Sequence, residues 1–149
     1  MIELLVAVSL FVIVISIASG TFVQALRTQR EVLALMAAND NASLALEQMV
    51  REIRTGREFS TTGLSLNFTN YLNETVTYDL NSETLQRNSR AITAGNVAVT
   101  YLNFTLFGEG AADGRSTRVL INLGVSSKGG LRGFVTPLQT SISSRILDS

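Results

Sequence analysis

A long apolar segment at the N-terminus constrains this chain more than any other feature. Residues 1–23, MIELLVAVSLFVIVISIASGTFV, contain one charged side chain, that of Glu3. As a helix, Leu4 to Val23 would be about 30 Å long at about 1.5 Å per residue, which matches the hydrocarbon thickness of a bilayer. The segment is therefore long enough to cross a membrane once. A secretory signal peptide fits less well, because such peptides begin with basic residues.

The carboxylate of Glu3 is unusual at the start of an apolar segment. Burying an ionised group in hydrocarbon without a partner is costly, so acidic residues are rare in membrane segments and usually mark a pairing interaction or a functional site. In an ordinary membrane anchor, by contrast, Glu3 would only lie among the lipid headgroups. The residues alone leave both interpretations open.

Composition argues against several functional classes. The 149-residue chain has 12 basic and 12 acidic residues, and the basic residues are scattered, which does not indicate a nucleic-acid-binding surface. It has no Cys, so neither a disulfide framework nor a thiolate metal site can form. It also has no His, the commonest general base and transition-metal ligand. We expect no cofactor, no nucleic-acid partner and no enzymatic activity.

The helical pattern continues beyond the apolar segment. No Pro or Gly occurs between Gln24 and Thr55, and strong helix formers dominate. Apolar residues recur there at steps of three and four, which predicts an amphipathic helix half, residues 24–56, packed on a globular part. Asn39-Asp40-Asn41 could break or bend the helix, and Gly56 is expected to end it. The predicted apolar stripe is Val32, Leu35, Met36, Ala42, Leu46, Met49, Val50 and Ile53, with Arg51, Glu52 and Arg54 largely off it.

After Gly56 the sequence becomes rich in Thr, Ser, Asn and β-branched residues, which predicts a β-rich head, residues 57–149. Asn81-Ser82-Glu83 reads as the turn of a hairpin. Pro137 predicts that the last strand lies at a sheet edge or is interrupted. The expected fold is α+β, a long N-terminal helix packed on a small antiparallel sheet. The predicted strands are 64–68, 74–80, 84–88, 97–107, 118–124 and 133–142.

The segment IELLVAVSLFVIVIS resembles the N-terminus of type IV pilins and of type II secretion pseudopilins. Mature chains of this family begin with an aromatic residue or Met, then Thr, Leu, Ile and Glu, followed by a hydrophobic run. Met1, Ile2 and Glu3 match the Leu, Ile and Glu of that pattern. The segments LEQMVREIR, TYDL, TLQR and TSISSRI look most like minor pseudopilins of the J or W type. The resemblance implies a pilin-like fold, with half of the long helix in the membrane and half on the sheet.

The resemblance further implies a structural subunit of a type IV pilus or pseudopilus filament. In that family the acid matched by Glu3 compensates the N-terminal amine of a neighbouring subunit, as each subunit leaves the membrane and joins the filament. The implied partners are other pilin-like subunits, the inner-membrane assembly machinery and the prepilin peptidase. The implied location is the cytoplasmic membrane, crossed once, and after assembly a periplasmic or extracellular filament. The residues implied in subunit assembly are Glu3, Leu4, Leu5, Val8, Phe11, Val12, Ile15 and Phe22.

The chain departs from the family pattern in several places. The pattern has two residues before the position of Met1, so either the sequence is trimmed or its start is atypical. Major type IV pilins usually carry a Pro in the membrane helix and a C-terminal disulfide loop; their absence here favours a pseudopilin or a disulfide-free pilin. Major pseudopilins bind calcium in a loop. Between Gly108 and Ser116 only Glu109 and Asp113 offer carboxylates, so we interpret that segment as a solvated turn.

Two further sets of residues are possible sites. Asn67, Asn73 and Asn103 begin triplets that fit the N-glycosylation acceptor, although a chain rich in Asn, Ser and Thr forms such triplets by chance. Six aromatic residues could form a stacking platform for single-stranded DNA. Because no basic run accompanies them, we interpret them as core residues and cross-strand pairs. They are Tyr71, Tyr78, Tyr101, Phe104, Phe107 and Phe134.

Two other functional classes compete with the filament subunit. The main alternative is a membrane-anchored extracytoplasmic binding module that does not polymerise, in which the β head captures a partner and the helix only tethers it. An enzyme is the weakest, because its active site would have to be built from Asp, Glu, Arg, Ser, Thr and Tyr alone.

Overall fold

The computed structural model describes residues 2–108, 116–129 and 134–145. Within these ranges one helix is followed by eight strands, which form a five-stranded and a three-stranded antiparallel sheet. The predicted α+β class, a long N-terminal helix packed on antiparallel sheet structure, is confirmed, although the sheet is divided into two. The elements are α1 Ile2–Arg54, β1 Arg57–Thr61, β2 Ser65–Thr69, β3 Thr75–Asn81, β4 Thr84–Arg87, β5 Arg90–Ala91, β6 Val97–Phe107, β7 Arg118–Ser127 and β8 Thr136–Ser143.

Helix α1 runs for 53 residues without interruption. At about 1.5 Å per residue its length is about 80 Å. The predicted weak point at Asn39-Asp40-Asn41 does not break the helix. One reason is that the side chain of Asn41 does not compete for the helix backbone, since its Oδ1 accepts a hydrogen bond from the backbone N–H of Ala94 at 2.9 Å.

The helix ends at Arg54, two residues before Gly56. The N–H groups of Thr55 and Gly56 bond to carbonyls three residues back, which tightens the last turn. Gly56 is required here for space, because a Cβ at this position would lie 2.6 Å from Cδ2 of Phe68 and 2.9 Å from Cζ of Phe59. The predicted stop is thus close to the observed one, and the glycine lets the chain pass beside an aromatic pair.

The buried face of α1 differs in part from the predicted stripe. Ala42, Met49 and Ile53 are buried as expected, whereas Val32 and Met36 are exposed. The first buried helix residue is Ala38, so the helix extends past the head on its N-terminal side. Sequence periodicity cannot show where the head stops, because an exposed helix can carry the same spacing. The buried helix residues are Ala38, Ala42, Ala45, Met49 and Ile53, three of them alanines that allow close approach of the sheets.

The first sheet is a meander in the order β1-β2-β3-β4-β5. The predicted hairpin between β3 and β4 is confirmed, and its turn residues Ser82 and Glu83 both have positive φ, 47° and 61°. Such a turn matches the twist of the paired strands. Strands β1 and β5 were not predicted. β1 is largely exposed and bulged, and β5 has only two residues, so neither carries a clear alternation of apolar side chains.

The second sheet has the order β6-β7-β8. β8 pairs only with β7, so Pro137 lies on an edge strand as predicted. The last strand begins at Thr136, later than the expected residue 133, which itself lies outside the described residues.

The two sheets and the helix enclose one core. Backbone bonds join the sheets, from Val99 N–H to the Glu83 carbonyl at 2.8 Å and from Phe104 N–H to the Gly63 carbonyl at 2.7 Å. After β8, the hydroxyl of Ser144 donates to the Gly56 carbonyl at 2.9 Å. The end of the helix is therefore held by both the start and the end of the β head. Buried side chains from all three parts include Met49, Ile53, Phe68, Tyr78, Leu85, Phe104, Ile121 and Leu123.

Candidate assembly surface

The apolar half of α1 has no cover within the monomer. Between Ile2 and Ala37 no residue is buried, and only Glu31, Ala34 and Leu35 are partly covered. All seven apolar residues that the resemblance implies in assembly are exposed, at 47% for Ile15 and more for the others. We name residues 2–23 the apolar rod. A continuous apolar surface of this kind is stable only in contact with lipid or with another protein surface. These residues are Leu4, Leu5, Val8, Phe11, Val12, Ile15 and Phe22.

Three hydroxyl side chains within the rod bond to its own backbone. The hydroxyls of Ser9, Ser16 and Thr21 donate to the carbonyls of Val6, Val12 and Ile17 at 2.9, 2.7 and 2.9 Å. Each bond satisfies a hydroxyl that would otherwise be costly to remove from water. The rod can therefore enter an apolar environment without unpaired hydroxyls at these positions.

The structure contains one helix that is long and apolar enough to cross a membrane, with a mean hydropathy of 2.6 in its apolar window. None of that window is buried inside the protein, so the window is not the core helix of the head. The architecture is consistent with single-pass anchoring near the N-terminus.

Glu3 lies in the first turn of α1. The positive end of the helix dipole favours a carboxylate there, but only by a few tenths to about 1 kcal/mol, much less than the cost of burying an ionised group in hydrocarbon. Among the described residues no basic side chain pairs with it. A counter-charge for Glu3 in an apolar setting would therefore have to come from outside the described part of the chain.

A second polar feature, which sequence reasoning missed, is a cluster centred on Glu52 at the helix end. The guanidinium of Arg87 donates from Nε to Oε2 at 2.9 Å and from Nη2 to Oε1 at 2.6 Å. The Tyr78 hydroxyl donates to Oε2 at 2.7 Å and the Asn70 amide to Oε1 at 3.3 Å. We name these four residues the Glu52 cluster. It joins the last turn of α1 to β3, β4 and the turn between β2 and β3.

The electrostatics of the Glu52 cluster follow from its contacts. The hydrogen bonds from Arg87 hold the pKa of Glu52 below its ordinary value, against the opposing effect of burial. Burial raises the pKa of Tyr78, and the bond to the Glu52 carboxylate raises it further. Both shifts keep a charged carboxylate beside a neutral phenol. The cluster stabilises the junction of helix and head, and we assign it no catalytic role.

Glu52 lies off the buried stripe as expected, but its side chain is only 15% exposed. The side chain projects at the flank of the buried stripe, next to Met49 and Ile53 on the helix, and reaches partners on the sheet. The sequence spacing could have indicated this position, because Glu52 adjoins the apolar stripe. Arg51, by contrast, points away from the stripe and pairs with Glu47 at 2.6 Å in solvent. The sequence could not show which sheet residues would meet it.

The three possible glycosylation residues lie in different settings. Asn67 is on β2, and its Oδ1 accepts a hydrogen bond from Thr77 at 2.7 Å. Asn73 occupies a turn with φ 62°, and its Oδ1 accepts from Arg57 at 2.6 Å. Asn103 is exposed on β6. Glycosylation remains a prediction at all three.

Possible metal ligands lie both inside and outside the described residues. Among the described residues no three His, Cys, Asp or Glu side chains come together as a metal site. Glu109 and Asp113, the carboxylates considered for calcium, lie outside the described residues.

Comparisons of the chain with protein-family models, with curated proteins and with solved structures found no match. The architecture is a long N-terminal apolar helix followed by antiparallel sheets, and it is compatible with a pilin-like arrangement.

Proposed function

We propose that this protein is a structural subunit of a type IV pilus or pseudopilus filament and polymerises through its apolar N-terminal helix. The observation that carries the proposal is the uncovered rod of α1 with a single carboxylate at its start. A subunit with such a rod is held in the membrane before assembly. It would then exchange lipid for the rods of neighbouring subunits, burying the same apolar surface.

Exposed apolar residues beyond the membrane-length segment support polymerisation over simple anchoring. Leu33 and Met36 are each 56% exposed, and they lie before Ala38, the first buried residue of the helix. Met36 is 13 residues beyond Val23, which places it about 20 Å past the end of a bilayer-spanning segment. An anchor would leave these side chains in water. Neighbouring helices of a staggered filament would cover them.

Glu3 has a specific role in this proposal. Opposite charges attract strongly in an apolar medium, and a pair resolves the desolvation cost that each would bear alone. The N-terminal amine of an adjacent subunit is the counter-ion that the resemblance implies. The charge pair would fix the axial position of one helix against the next, while the apolar side chains supply most of the contact area.

The partners follow from this role. Other pilin-like subunits would form the polymer, and the inner-membrane assembly machinery and the prepilin peptidase would act before it. The alternative, an anchored extracytoplasmic binding module, would share the membrane location and differ in having no polymer.

Electron microscopy of surface material from cells that produce the full-length protein tests the proposal. We expect filaments that bind an antibody against the head. Labelling along the whole filament would indicate a bulk subunit, and labelling at one end a minor subunit. Dispersed monomers without filaments would contradict the proposal and favour the anchored binding module.

The variant Glu3→Ala tests the role of the carboxylate. We expect normal abundance in the membrane fraction and loss from the filament fraction, because the amine of a neighbour would be left without its counter-ion. Glu47→Ala, which removes a solvent-exposed acid from the same helix, is the matched control and should assemble normally. Equal incorporation of both variants would show that Glu3 has no part in assembly.

A further inference from the structure

The outer face of the second sheet carries an unusual set of side chains. Core-facing residues of β6, β7 and β8 alternate with outward-facing ones, and the strand register aligns the outward residues in rows. One row is Tyr101, Gly124 and Pro137, and the next is Asn103, Asn122 and Gln139. Beyond them are the rows Thr105, Leu120 and Ser141, and Phe107, Arg118 and Ser143. We name these four rows the outer face.

The ring of Tyr101 lies across the sheet and is held there by two features. A side chain on Gly124 would overlap the Tyr101 ring, so the glycine provides the space in which the ring rests. A register irregularity between Val99 and Tyr101 alters the direction of the strand at this point, and the Thr100 hydroxyl donates to the Gly124 carbonyl at 3.2 Å. One side of the ring is thus packed on backbone, while the residue remains 45% exposed.

The neighbouring row is made of three amides. The side chains of Asn103, Asn122 and Gln139 have no hydrogen-bond partner within the described part of the chain, and none is a buried unsatisfied group. Each amide offers two donors and a carbonyl acceptor. Strands in a sheet are about 4.8 Å apart, so the row presents these groups across about 10 Å. The second exposed aromatic, Phe107, is six residues from Tyr101 along β6, or about 20 Å.

Charge limits what this face can bind. Arg118 is the one charged residue among the outward positions of its described strands, so the face has no acidic set for a cation and no basic set for a polyanion. Single-stranded nucleic acid is therefore a poor fit, because aromatic stacking of bases is normally accompanied by a basic groove for the phosphates.

We propose that the outer face binds a neutral carbohydrate chain. A sugar ring has apolar C–H faces that suit an exposed aromatic ring held flat, and hydroxyls that both donate and accept, as the amides do. Tyr101 stacks on one sugar ring, and the row of Asn103, Asn122 and Gln139 bonds to hydroxyls of the next. Phe107 contacts the chain further along. This activity belongs to the head and does not depend on polymerisation.

The expectation that all six aromatic residues are core residues or cross-strand pairs was wrong for Tyr71 and Phe134, which lie outside the strands. Tyr78 and Phe104 are buried, whereas Tyr71, Tyr101 and Phe107 are exposed, as is Phe134. Of the exposed four, only Tyr101 and Phe107 share the outer face with the amide row. Tyr71 lies in the turn between β2 and β3, which makes it a control.

The test is a titration of the full-length protein, held in micelles of a detergent without a sugar headgroup, with cellohexaose, chitohexaose and maltohexaose. Binding is followed by saturation-transfer NMR and calorimetry. We expect at least one of these neutral hexasaccharides to bind. Tyr101→Ala should weaken that binding about tenfold, and Gln139→Ala about threefold, reflecting loss of a stacked ring and of one hydrogen bonding group.

Controls separate the outcomes. Tyr71→Ala should bind as the unchanged protein does, and polygalacturonate, a charged polymer, should not bind. If Tyr101→Ala does not fold, Gln139→Ala still decides, because Gln139 is exposed on an edge strand. Failure of all three hexasaccharides to bind would overturn the proposal. So would binding that is unchanged in Gln139→Ala, or weakened equally by Tyr71→Ala. None of these results depends on whether filaments form.

Discussion

Among the described residues, Glu52 accepts the most hydrogen bonds between the helix and the head. Its two carboxylate oxygens accept hydrogen bonds from Arg87, Tyr78 and Asn70, which come from separate parts of the first sheet. The side chain of Glu52 is 15% exposed, so water can replace little of this bonding if a partner is lost. The sequence did not predict these partners of Glu52.

We predict that Glu52→Gln lowers the free energy of unfolding by about 2 kcal/mol, because the Arg87 guanidinium loses its counter-ion in a half-buried site. The measurement is chemical denaturation followed by circular dichroism. Glu47→Gln is the matched control, since Glu47 and Arg51 also form a pair at 2.6 Å but are 55% and 77% exposed. The control should change stability by less than about 0.5 kcal/mol. Equal effects would show that the cluster contributes no more than a surface pair.

The Glu52 cluster should also make the free energy of unfolding depend on pH. The pKa of Glu52 is lowered on folding, so its contribution is complete above its ordinary value of 4.5 and is lost as pH falls through the folded pKa. The pKa of Tyr78 is raised, so its contribution is complete below its ordinary value of 10.0 and is lost as the pH rises further. Thermal unfolding across pH should show both declines, and Glu52→Gln should flatten them. Parallel curves for the two proteins would contradict the assignment.

At the scale of elements, the passage from α1 to β1 is closely packed. Gly56 follows the helix and lies against the stacked rings of Phe59 and Phe68, whose centroids are 5.4 Å apart. Phe68 stacks in turn on Tyr78, a member of the Glu52 cluster, at 6.1 Å. The helix end, the aromatic stack and the Glu52 cluster therefore form one continuous set of contacts. A displacement at Gly56 would move the rings of Phe59 and Phe68 and, through them, Tyr78.

We predict that Gly56→Ala destabilises the head by about 1–3 kcal/mol, because the added methyl group would force the rings of Phe68 and Phe59 to move. Gly95→Ala is the control, since nothing lies within 4 Å of a Cβ at that position. The readout is the midpoint of thermal unfolding for both variants. A midpoint for Gly56→Ala equal to that of the control would mean that the aromatic pair yields without cost.

At the scale of the whole molecule, the helix has two parts, one that packs on the head and one that is left uncovered. From Ala38 to Arg54 it packs on the sheets, and before Ala38 it contributes no buried residue. The head is thus complete without the apolar rod, and the rod has no contact that the head needs. This division is expected of a chain in which the helix before Ala38 is covered by lipid or by another protein.

We predict that deletion of residues 1–28 leaves a folded, soluble monomer, because the deleted part holds none of the buried core. Its unfolding midpoint should lie within about 3 °C of that of the full chain, a shift that corresponds to less than about 1 kcal/mol. Analytical ultracentrifugation and circular dichroism provide the measurements. A truncated chain that fails to fold would show that the rod belongs to the core of the head.

Local patterns accounted for much of this architecture. The apolar run, the absence of Pro and Gly up to Thr55, the hairpin at Ser82 and Glu83 and the edge position of Pro137 are properties of neighbouring residues. Each acts through the backbone preferences or hydrophobic spacing of a short segment, so the sequence states it directly. By itself the sequence thus determined the long helix, the α+β class and the presence of an apolar rod.

Only the tertiary structure decided which residues meet. The partners of Glu52 lie 18, 26 and 35 residues away, and the outer face takes its rows from three strands in a register that no single segment encodes. The exposure of Val32 and Met36 likewise depends on where the head ends along the helix. The physical reason is that spacing records which side of an element is apolar, whereas chain folding over long separations determines what that side contacts.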